Sequence, residues 1–361
     1  MPPSKSLPSL RRLIVPGIFV GALFAVVVLR QPPTAGRADE WVLNGTTMGT
    51  TYTVKVVAGR DDEAARTPLA DAVQQVLDGV DFTMSTYKQD SEITRFNRSG
   101  TEDFEASDDM VKVVAEAQRV ARLTRGAFDI TVAPLVDVWG FGPAGATGAP
   151  DEQTLEELVA LTGYEQLSVD VENRVLRKAR SDCRIDLSAI AKGFAVDEVA
   201  ALLEAEGLVD YMVEVGGEVR CHGRNGSGTE WRIGIERPDA DGRAVQLAIP
   251  LANLALATSG DYRNFVIRNG RRISHTIDPR TGYPISHALA SVSVIHASCM
   301  TADALATAFE VLGPEEGVAL AERLEIPALF LLRTAEGGFE GRPTRVWTAL
   351  VENTGGDSGV H

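Results

Sequence analysis

The pattern of hydrophobic and polar positions along the chain switches between the strand period and the helix period. The segment "TTYTVKVV", residues 50–57, has apolar residues at alternate positions, which is typical of a half-buried strand. From Leu69 to Val80 the apolar residues recur at helical spacing, which predicts an amphipathic helix. Ser107 is placed to cap a second helix, which is expected to stop at Arg125-Gly126.

The rest of the chain interleaves helices with many strands, which predicts an α+β fold. Strands are predicted at Cys183–Asp186, "YMVEV", "WRIGIE", "LALAT", "NFVIR", "ASVSVI", "ALFLLR" and around "RVWTALV". Helices are predicted from Ser188 to Glu206, from Thr301 to Leu312 and after Pro314, while Trp139 and Phe141 fall in a predicted Gly/Pro-rich loop. No linker divides the chain into independent domains.

The first 38 residues differ in composition from the rest of the chain. They contain Lys and Arg but no Asp or Glu before Asp39, and from Leu13 to Leu29 they carry no charge. A basic segment before an apolar run is typical of an export signal or of an N-terminal membrane anchor. We expect cleavage near Ala38, with a retained anchor as the alternative, and the Arg11-Arg12 pair leaves a twin-arginine route open.

The charge of the remaining chain excludes one class of partner. Five of the 35 Lys and Arg lie in the first 38 residues, so the remainder carries 30 basic and 50 acidic side chains, a net charge of −20. This excess of negative charge repels nucleic acid, and the sequence contains no cluster of basic residues that would bind it. The three cysteines have no zinc spacing, and the sequence leaves open both a Cys183–Cys221 disulfide and buried free thiols.

Polar residues with catalytic or ligand-binding chemistry gather in a few short segments. "SHTIDPRTGYPISH", residues 274–287, holds two of the five histidines, although an ordinary surface turn also explains its composition. "DLSAIAKGFAVD" predicts a strand, a turn and a helix N-terminus carrying Lys192, which is an arrangement that binds anions. In "TADALATAFEVLG", Asp303 and Thr307 share one helix face and offer the hard oxygen ligands that magnesium prefers.

Each of these motifs is weak alone. Five further segments add to them: "TTMGTTY", "MSTYKQDSEITRFN", "GAFDITVAPL", "VGGEV" and "TSGDYRNF". Together, all of these segments resemble the FAD:protein FMN transferase (ApbE) family, from about Trp41 to Val351. The resemblance implies a single α+β, T-fold-like unit of mainly antiparallel sheets with packed helices and an FAD cleft between its two halves. It also implies a signal peptide or anchor at 1–38, a flavin transferase domain at 39–352 and a disordered tail at 353–361.

The resemblance implies roles for particular residues. The FAD site corresponds to Met48, Tyr87, Ala127, Phe128, Asp129, Asp186, Lys192 and Ile277. The Mg²⁺ site corresponds to Ala189, Asp303 and Thr307, where Ala189 offers its backbone carbonyl. His275 corresponds to a family histidine beside the reacting phosphates and is the expected catalytic residue, with the site aspartates as alternative proton acceptors.

The implied activity is Mg²⁺-dependent transfer of the FMN moiety of FAD to a Thr or Ser hydroxyl, with release of AMP. The implied partners are exported segments of membrane redox-complex subunits that carry a D-x-x-[S/T]-G-A-T type motif. We expect a periplasmic protein, attached to the inner membrane if the N-terminal segment is retained. A periplasmic protein that stores FAD without turnover, or a maturation factor for a redox complex, stays an alternative.

Two positions depart from the family pattern. Glu218 follows the paired glycines where relatives often have Asp or Asn, and it is therefore left out of the predicted site. Ala306 stands beside Thr307 where some relatives have a second carboxylate, which lowers the expected affinity for the metal.

Overall fold

The computed structural model describes residues 39–58, 63–100, 103–143, 145, 149–238, 245–260, 265–268 and 271–353. The predicted signal or anchor at 1–38 lies outside these residues, as does all of the predicted tail at 353–361 except Asn353, so both stay predictions. None of the helices in the described part of the chain combines the length and the apolar character that a membrane crossing requires.

An eight-stranded antiparallel sheet forms the middle layer of the fold. Its strands, in spatial order, are β1 (Asp39–Thr47), β2 (Thr50–Ala58), β6 (Tyr211–Val215), β7 (Glu218–His222), β10 (Leu254–Gly260), β13 (Leu289–His296), β14 (Ala328–Arg333) and β15 (Phe339–Pro343). Smaller antiparallel sheets contain β3 (Asp103–Glu105), β5 (Val175–Lys178) and β4 (Leu167–Asp170), then β8 (Trp231–Glu236) with β9 (Val245–Leu251), and β11 (Phe265–Arg268) with β12 (Arg271–Ser274).

Eight α-helices are present in the described residues. They are α1 (Glu63–Met84), α2 (Glu92–Arg98), α3 (Asp108–Thr124), α4 (Ala133–Trp139), α5 (Glu152–Leu161), α6 (Ala191–Ala205), α7 (Cys299–Arg323) and α8 (Arg345–Asn353). Helix α7 is interrupted at Gly313, which has φ 77° and ψ −176°, so the predicted pair of helices on either side of Gly313-Pro314 is confirmed. Ser107 caps α3 as predicted, since its hydroxyl accepts a hydrogen bond from the Met110 amide.

Both faces of the large sheet are buried. Along β14, Phe330 belongs to the core shared with α1, α6 and α7, whereas its neighbours Leu329 and Leu331 pack with β8, β9 and α8. Alternation of side chains along a strand produces this division. The predicted α+β class with mainly antiparallel sheets and packed helices is therefore confirmed.

Four local predictions were wrong. "RVWTALV" is helix α8, because Trp347, Leu350 and Val351 follow helical spacing and cover the sheet. Trp139 ends helix α4 and is buried instead of lying in a loop. Residues 183–186 form no strand, because Ile185 exchanges two 2.8 Å hydrogen bonds with the side chain of Asn97. The predicted helix at Ser188 begins only at Ala191.

Candidate functional site

A cleft of about 1140 Å³ opens where the helix layer meets the loop at 276–285. Its lining includes every residue predicted for the FAD, metal and catalytic positions: Met48, Tyr87, Ala127, Phe128, Asp129, Asp186, Ala189, Lys192, His275, Ile277, Asp303 and Thr307. Residues that are far apart in the sequence therefore meet at one place.

Met48 lies at the tip of the β1–β2 hairpin. Thr47 pairs with Thr50, and Met48 and Gly49 have φ of 46° and 73°, which is the geometry of a two-residue type I′ turn. A positive φ is uncommon for methionine, and such backbone conformations gather at functional sites. Tyr87, which lines another part of the cleft, is 70% exposed, and its hydroxyl donates to the Phe141 carbonyl over 3.3 Å.

The segment from Ala127 to Asp129 is buried at the floor of the cleft. The Asp129 carboxylate accepts hydrogen bonds from the amide and the hydroxyl of Thr131, at 2.8 and 2.7 Å, and so caps a short 3₁₀ turn. Burial raises the pKa of Asp129 to about 6, although these hydrogen bonds act in the opposite direction. Asp186 is joined to the same region because its amide donates to the Ile130 carbonyl over 2.7 Å.

His275 lies half-buried in the cleft at the start of a braced loop. Its ring meets the Phe141 ring edge-on, with centroids 6.4 Å apart. The loop beyond it folds back on itself: Ile277 and Pro284 form a bridge, and Asp278 holds the Arg280 guanidinium through two bonds of 2.9 and 2.8 Å. These contacts fix the shape of the turn that carries the histidine.

Lys192 and Asp303 meet where the first turns of α6 and α7 touch. Gly193 allows the contact, since a Cβ there would lie 2.4 Å from the Cys299 carbonyl oxygen. The Gly193 amide donates to Asp303 Oδ2 over 3.0 Å instead of to the carbonyl of Ala189, four residues before it. Lys192 Nζ lies 3.6 Å from Asp303 Oδ1, and Asp303 is only 3% exposed.

Glu218 joins this cluster from strand β7, although sequence reasoning left it out. Its Oε1 lies 3.0 Å from Lys192 Nζ, and the side chain is buried. Burial raises the pKa of Glu218, while the ammonium of Lys192 opposes that shift. Burial alone would lower the pKa of Lys192, but the Asp303 and Glu218 carboxylates raise it above its ordinary value. The signal in the sequence was the Gly216-Gly217 turn, which directs β7 into the cleft.

Asp197 fixes the spacing between the elements that carry the cluster. From the middle of α6, its carboxylate accepts bonds from the Ser298 hydroxyl and from the amides of Cys299 and Met300, at 2.7, 3.0 and 3.0 Å. It also accepts a 2.8 Å bond from Arg220 on β7. One carboxylate thus caps α7 and ties α6, α7 and β7 together.

A second buried acid, Glu310 on α7, lies behind the histidine loop. Its Oε2 accepts hydrogen bonds from the hydroxyls of Ser259 and, at 3.4 Å, Thr276. Ser259 and Thr276 both line the cleft, and neither was predicted. The sequence offered no signal for Glu310, because its register on α7 looks like that of an ordinary core position.

The residues predicted for magnesium fit a hard divalent cation. Asp303 offers a carboxylate, Thr307 a hydroxyl, and the carbonyl of Ala189 is not taken by the Gly193 amide. Among the described residues, no group of three or more His, Cys, Asp and Glu side chains is placed to hold a metal ion, so an ion at this place would take its remaining ligands from water and substrate. The three cysteines are buried free thiols.

Comparison with known proteins gives consistent matches. The model of the ApbE family matches residues 48–330. A protein named FAD:protein FMN transferase from Vibrio cholerae serotype O1 is 45% identical over 302 residues, which cover 83% of this chain and 90% of the relative.

Two proteins of known structure share the fold. One is the flavin transferase ApbE from Vibrio cholerae, with a TM-score of 0.78, 42% identity and coverage of 86% of this chain and 99% of that one. The other is the flavinyl transferase ApbE from Pseudomonas stutzeri in its apo form, with a TM-score of 0.79, 41% identity and coverage of 87% and 97%.

Proposed function

Because this chain belongs to the ApbE family and is a flavin transferase, we propose that it transfers the FMN moiety of FAD to a Thr or Ser hydroxyl of a target protein. The transfer forms a phosphoester bond, releases AMP and depends on Mg²⁺. One observation carries the proposal. The cleft brings a histidine, the ammonium group of Lys192 and a set of hard oxygen ligands together beside an apolar floor.

The first task of the cleft residues is to hold FAD. Met48, Tyr87 and the buried Phe128 offer apolar and aromatic surface for a ring system, as small-molecule sites generally do. Lys192 lies in the first turn of α6, where its ammonium group and the positive end of the helix dipole attract phosphate. Its raised pKa keeps the ammonium charged at the pH of the reaction.

The reaction is a phosphoryl transfer. The acceptor oxygen forms a bond to the FMN-side phosphorus, the bond from that phosphorus to the oxygen of AMP breaks, and the hydroxyl proton leaves the acceptor. Ala189, Asp303 and Thr307 would hold the magnesium ion, which when bound neutralises charge on the phosphates. Positioning and electrostatics provide most of the rate in such transfers, so the rigid frame around Asp197 is part of the machinery.

His275 is our choice for the group that accepts the hydroxyl proton. An imidazole changes charge nearest to neutral pH, which suits a general base. Its loop is braced on both sides, through the Asp278–Arg280 pair and through the Trp139 indole, which donates to the Gly282 carbonyl over 2.8 Å. A base held this firmly needs little reorganisation before it accepts the proton.

The site of action and the partner follow from the N-terminal segment and from the family. We propose that the chain is exported and works in the periplasm, attached to the inner membrane if residues 1–38 are retained. The target is an exported segment of a membrane redox complex with a D-x-x-[S/T]-G-A-T type motif.

The test uses residues 39–361 with FAD, MgCl₂ and a peptide that carries the motif. We expect fluorescence that stays on the peptide after denaturation and an equal amount of released AMP. The same peptide with Ala in place of the acceptor Thr should gain no flavin. Tight FAD binding without either product would show a storage protein and overturn the proposal.

A further inference from the structure

Glu218 has one carboxylate oxygen that the cleft leaves without a partner. The side chain is 2% exposed, Oε1 pairs with Lys192 Nζ at 3.0 Å, and Oε2 makes no hydrogen bond. An unpaired oxygen of a buried carboxylate costs free energy, because neither water nor a donor replaces its lost hydration. An unpaired carboxylate oxygen in the wall of a ligand cleft indicates that a bound ligand provides its missing partner.

The position of this oxygen limits what the ligand can be. Glu218 and Asp303 both lie within 4 Å of the same ammonium nitrogen, at 3.0 and 3.6 Å, so the two carboxylates converge on one point. Two buried anions then face a single cation. The excess negative charge favours a further cation at this point, and hard oxygen ligands favour one such as magnesium.

A purely structural role for Glu218, as a partner of Lys192 alone, does not explain its second carboxylate oxygen. The pairing with Lys192 uses only Oε1, and Lys192 already has Asp303 beside it. A glutamine would give Lys192 the same acceptor without a buried charge.

We propose that Glu218 supplies the second carboxylate of the magnesium site, next to Asp303. The inference rests on the proposed function, which requires the ion. It also accounts for Ala306, which is fully buried and carries no carboxylate beside Thr307. In this chain the second charge comes from strand β7 instead of from the metal-bearing helix α7.

The experiment measures metal binding without FAD and without turnover. Residues 39–361 are titrated with Mn²⁺, which also prefers oxygen ligands, and the EPR signal of the free ion gives the affinity. Glu218→Gln should weaken binding by about 10–100-fold, as is typical when a group supporting a metal is lost. Asp303→Asn should weaken it at least as much. The control Glu198→Gln, at a carboxylate that pairs with Lys112 outside the cleft, should bind as the unchanged protein does.

The outcomes separate this inference from the proposed function. If Asp303→Asn loses affinity while Glu218→Gln keeps it, the role of Glu218 is refuted and the metal site stands. If neither variant changes the affinity, the metal site itself is wrong. Glu218→Asp keeps the charge and should bind more tightly than Glu218→Gln, and equal weakening in the two would also overturn the inference. Thermal unfolding without metal confirms that each variant is folded.

Discussion

At His275, a single substitution can separate the binding of FAD from the chemistry. His275→Asn keeps a side chain of similar shape and hydrogen bonding but cannot take up a proton. Loss of a general base typically lowers the rate by about 10²–10⁴-fold. We expect that fall in the initial rate of AMP release, with a much smaller change in FAD affinity.

Both quantities are measured side by side on the variant and the unchanged protein. A near-normal rate for His275→Asn would place the base elsewhere, with Asp186 and Asp303 as the next candidates. A matched loss of affinity and rate would instead give His275 a role in binding FAD.

Asp129 makes the stability of the protein depend on pH. Its folded pKa of about 6 lies above the ordinary 3.8, so its contribution to folding is full below pH 4 and is lost as the pH rises through 6. Asp129→Asn has no such proton. From pH 4 to pH 8 the free energy of unfolding of the variant should therefore rise by about 2 kcal/mol relative to the unchanged protein.

Chemical denaturation at the two pH values measures this difference. Other titrating groups are common to both proteins and cancel, and the effect of the hydrogen bonds from Thr131 is already contained in the pKa of about 6. A difference that stays constant with pH would contradict the burial argument for Asp129.

The contact between α6 and α7 depends on the carboxylate of Asp197. Asp197 is 11% exposed and accepts four hydrogen bonds, so Asp197→Ala leaves Arg220 and the first amides of α7 without their acceptor. We expect a loss of about 3–5 kcal/mol in unfolding free energy, as for other broken buried pairs.

The next residue provides the control. Glu198 pairs with Lys112 at 2.6 Å on the surface, with side chains 27% and 54% exposed, so Glu198→Ala should cost at most about 1 kcal/mol. Equal effects of the two substitutions in urea unfolding would show that Asp197 does not hold this contact.

Local signals in the sequence were enough for the elements whose ends are marked by caps and breakers. Ser107 before α3 and Gly313-Pro314 within α7 fixed their boundaries correctly. The pattern failed where tertiary contacts decide. In "RVWTALV" the β-branched residues favour a strand, but Trp347 and Val351 need one turn of helix to reach the same apolar pocket.

The candidate site could be predicted only as far as its motifs reach. Asp303, Thr307 and His275 lie in recognisable segments, whereas Glu218 becomes part of the cluster only because β7 is paired between β6 and β10. Likewise, no sequence pattern predicts that Glu310 accepts hydrogen bonds from Ser259 and Thr276. The local spacing of residues in the sequence does not predict contacts between distant segments.

The boundary at residue 38 can be tested on the whole molecule. Strand β1 begins at Asp39, and its Trp41 and Leu43 are each 5% exposed. A chain that starts at Asp39 should therefore keep the thermal unfolding midpoint and the transfer rate of the full chain in solution. Removal of residues 1–47 also removes β1 and should destabilise the fold, since buried large apolar residues typically contribute about 2–5 kcal/mol each.

Calorimetry and the AMP assay compare the two truncations. Loss of activity on removing only residues 1–38 would show that the N-terminal segment is part of the working enzyme and not merely a signal or anchor.

The contact between Gly193 and Asp303 joins residues 110 positions apart, and the one between Trp139 and Gly282 spans 143. The cleft is therefore incomplete until α7 has been synthesised and has docked, because Asp303 and Thr307 line it from α7. If the chain is exported unfolded, it crosses the membrane empty. Its FAD must then be captured on the far side, so the supply of FAD in that compartment limits how much active enzyme is formed.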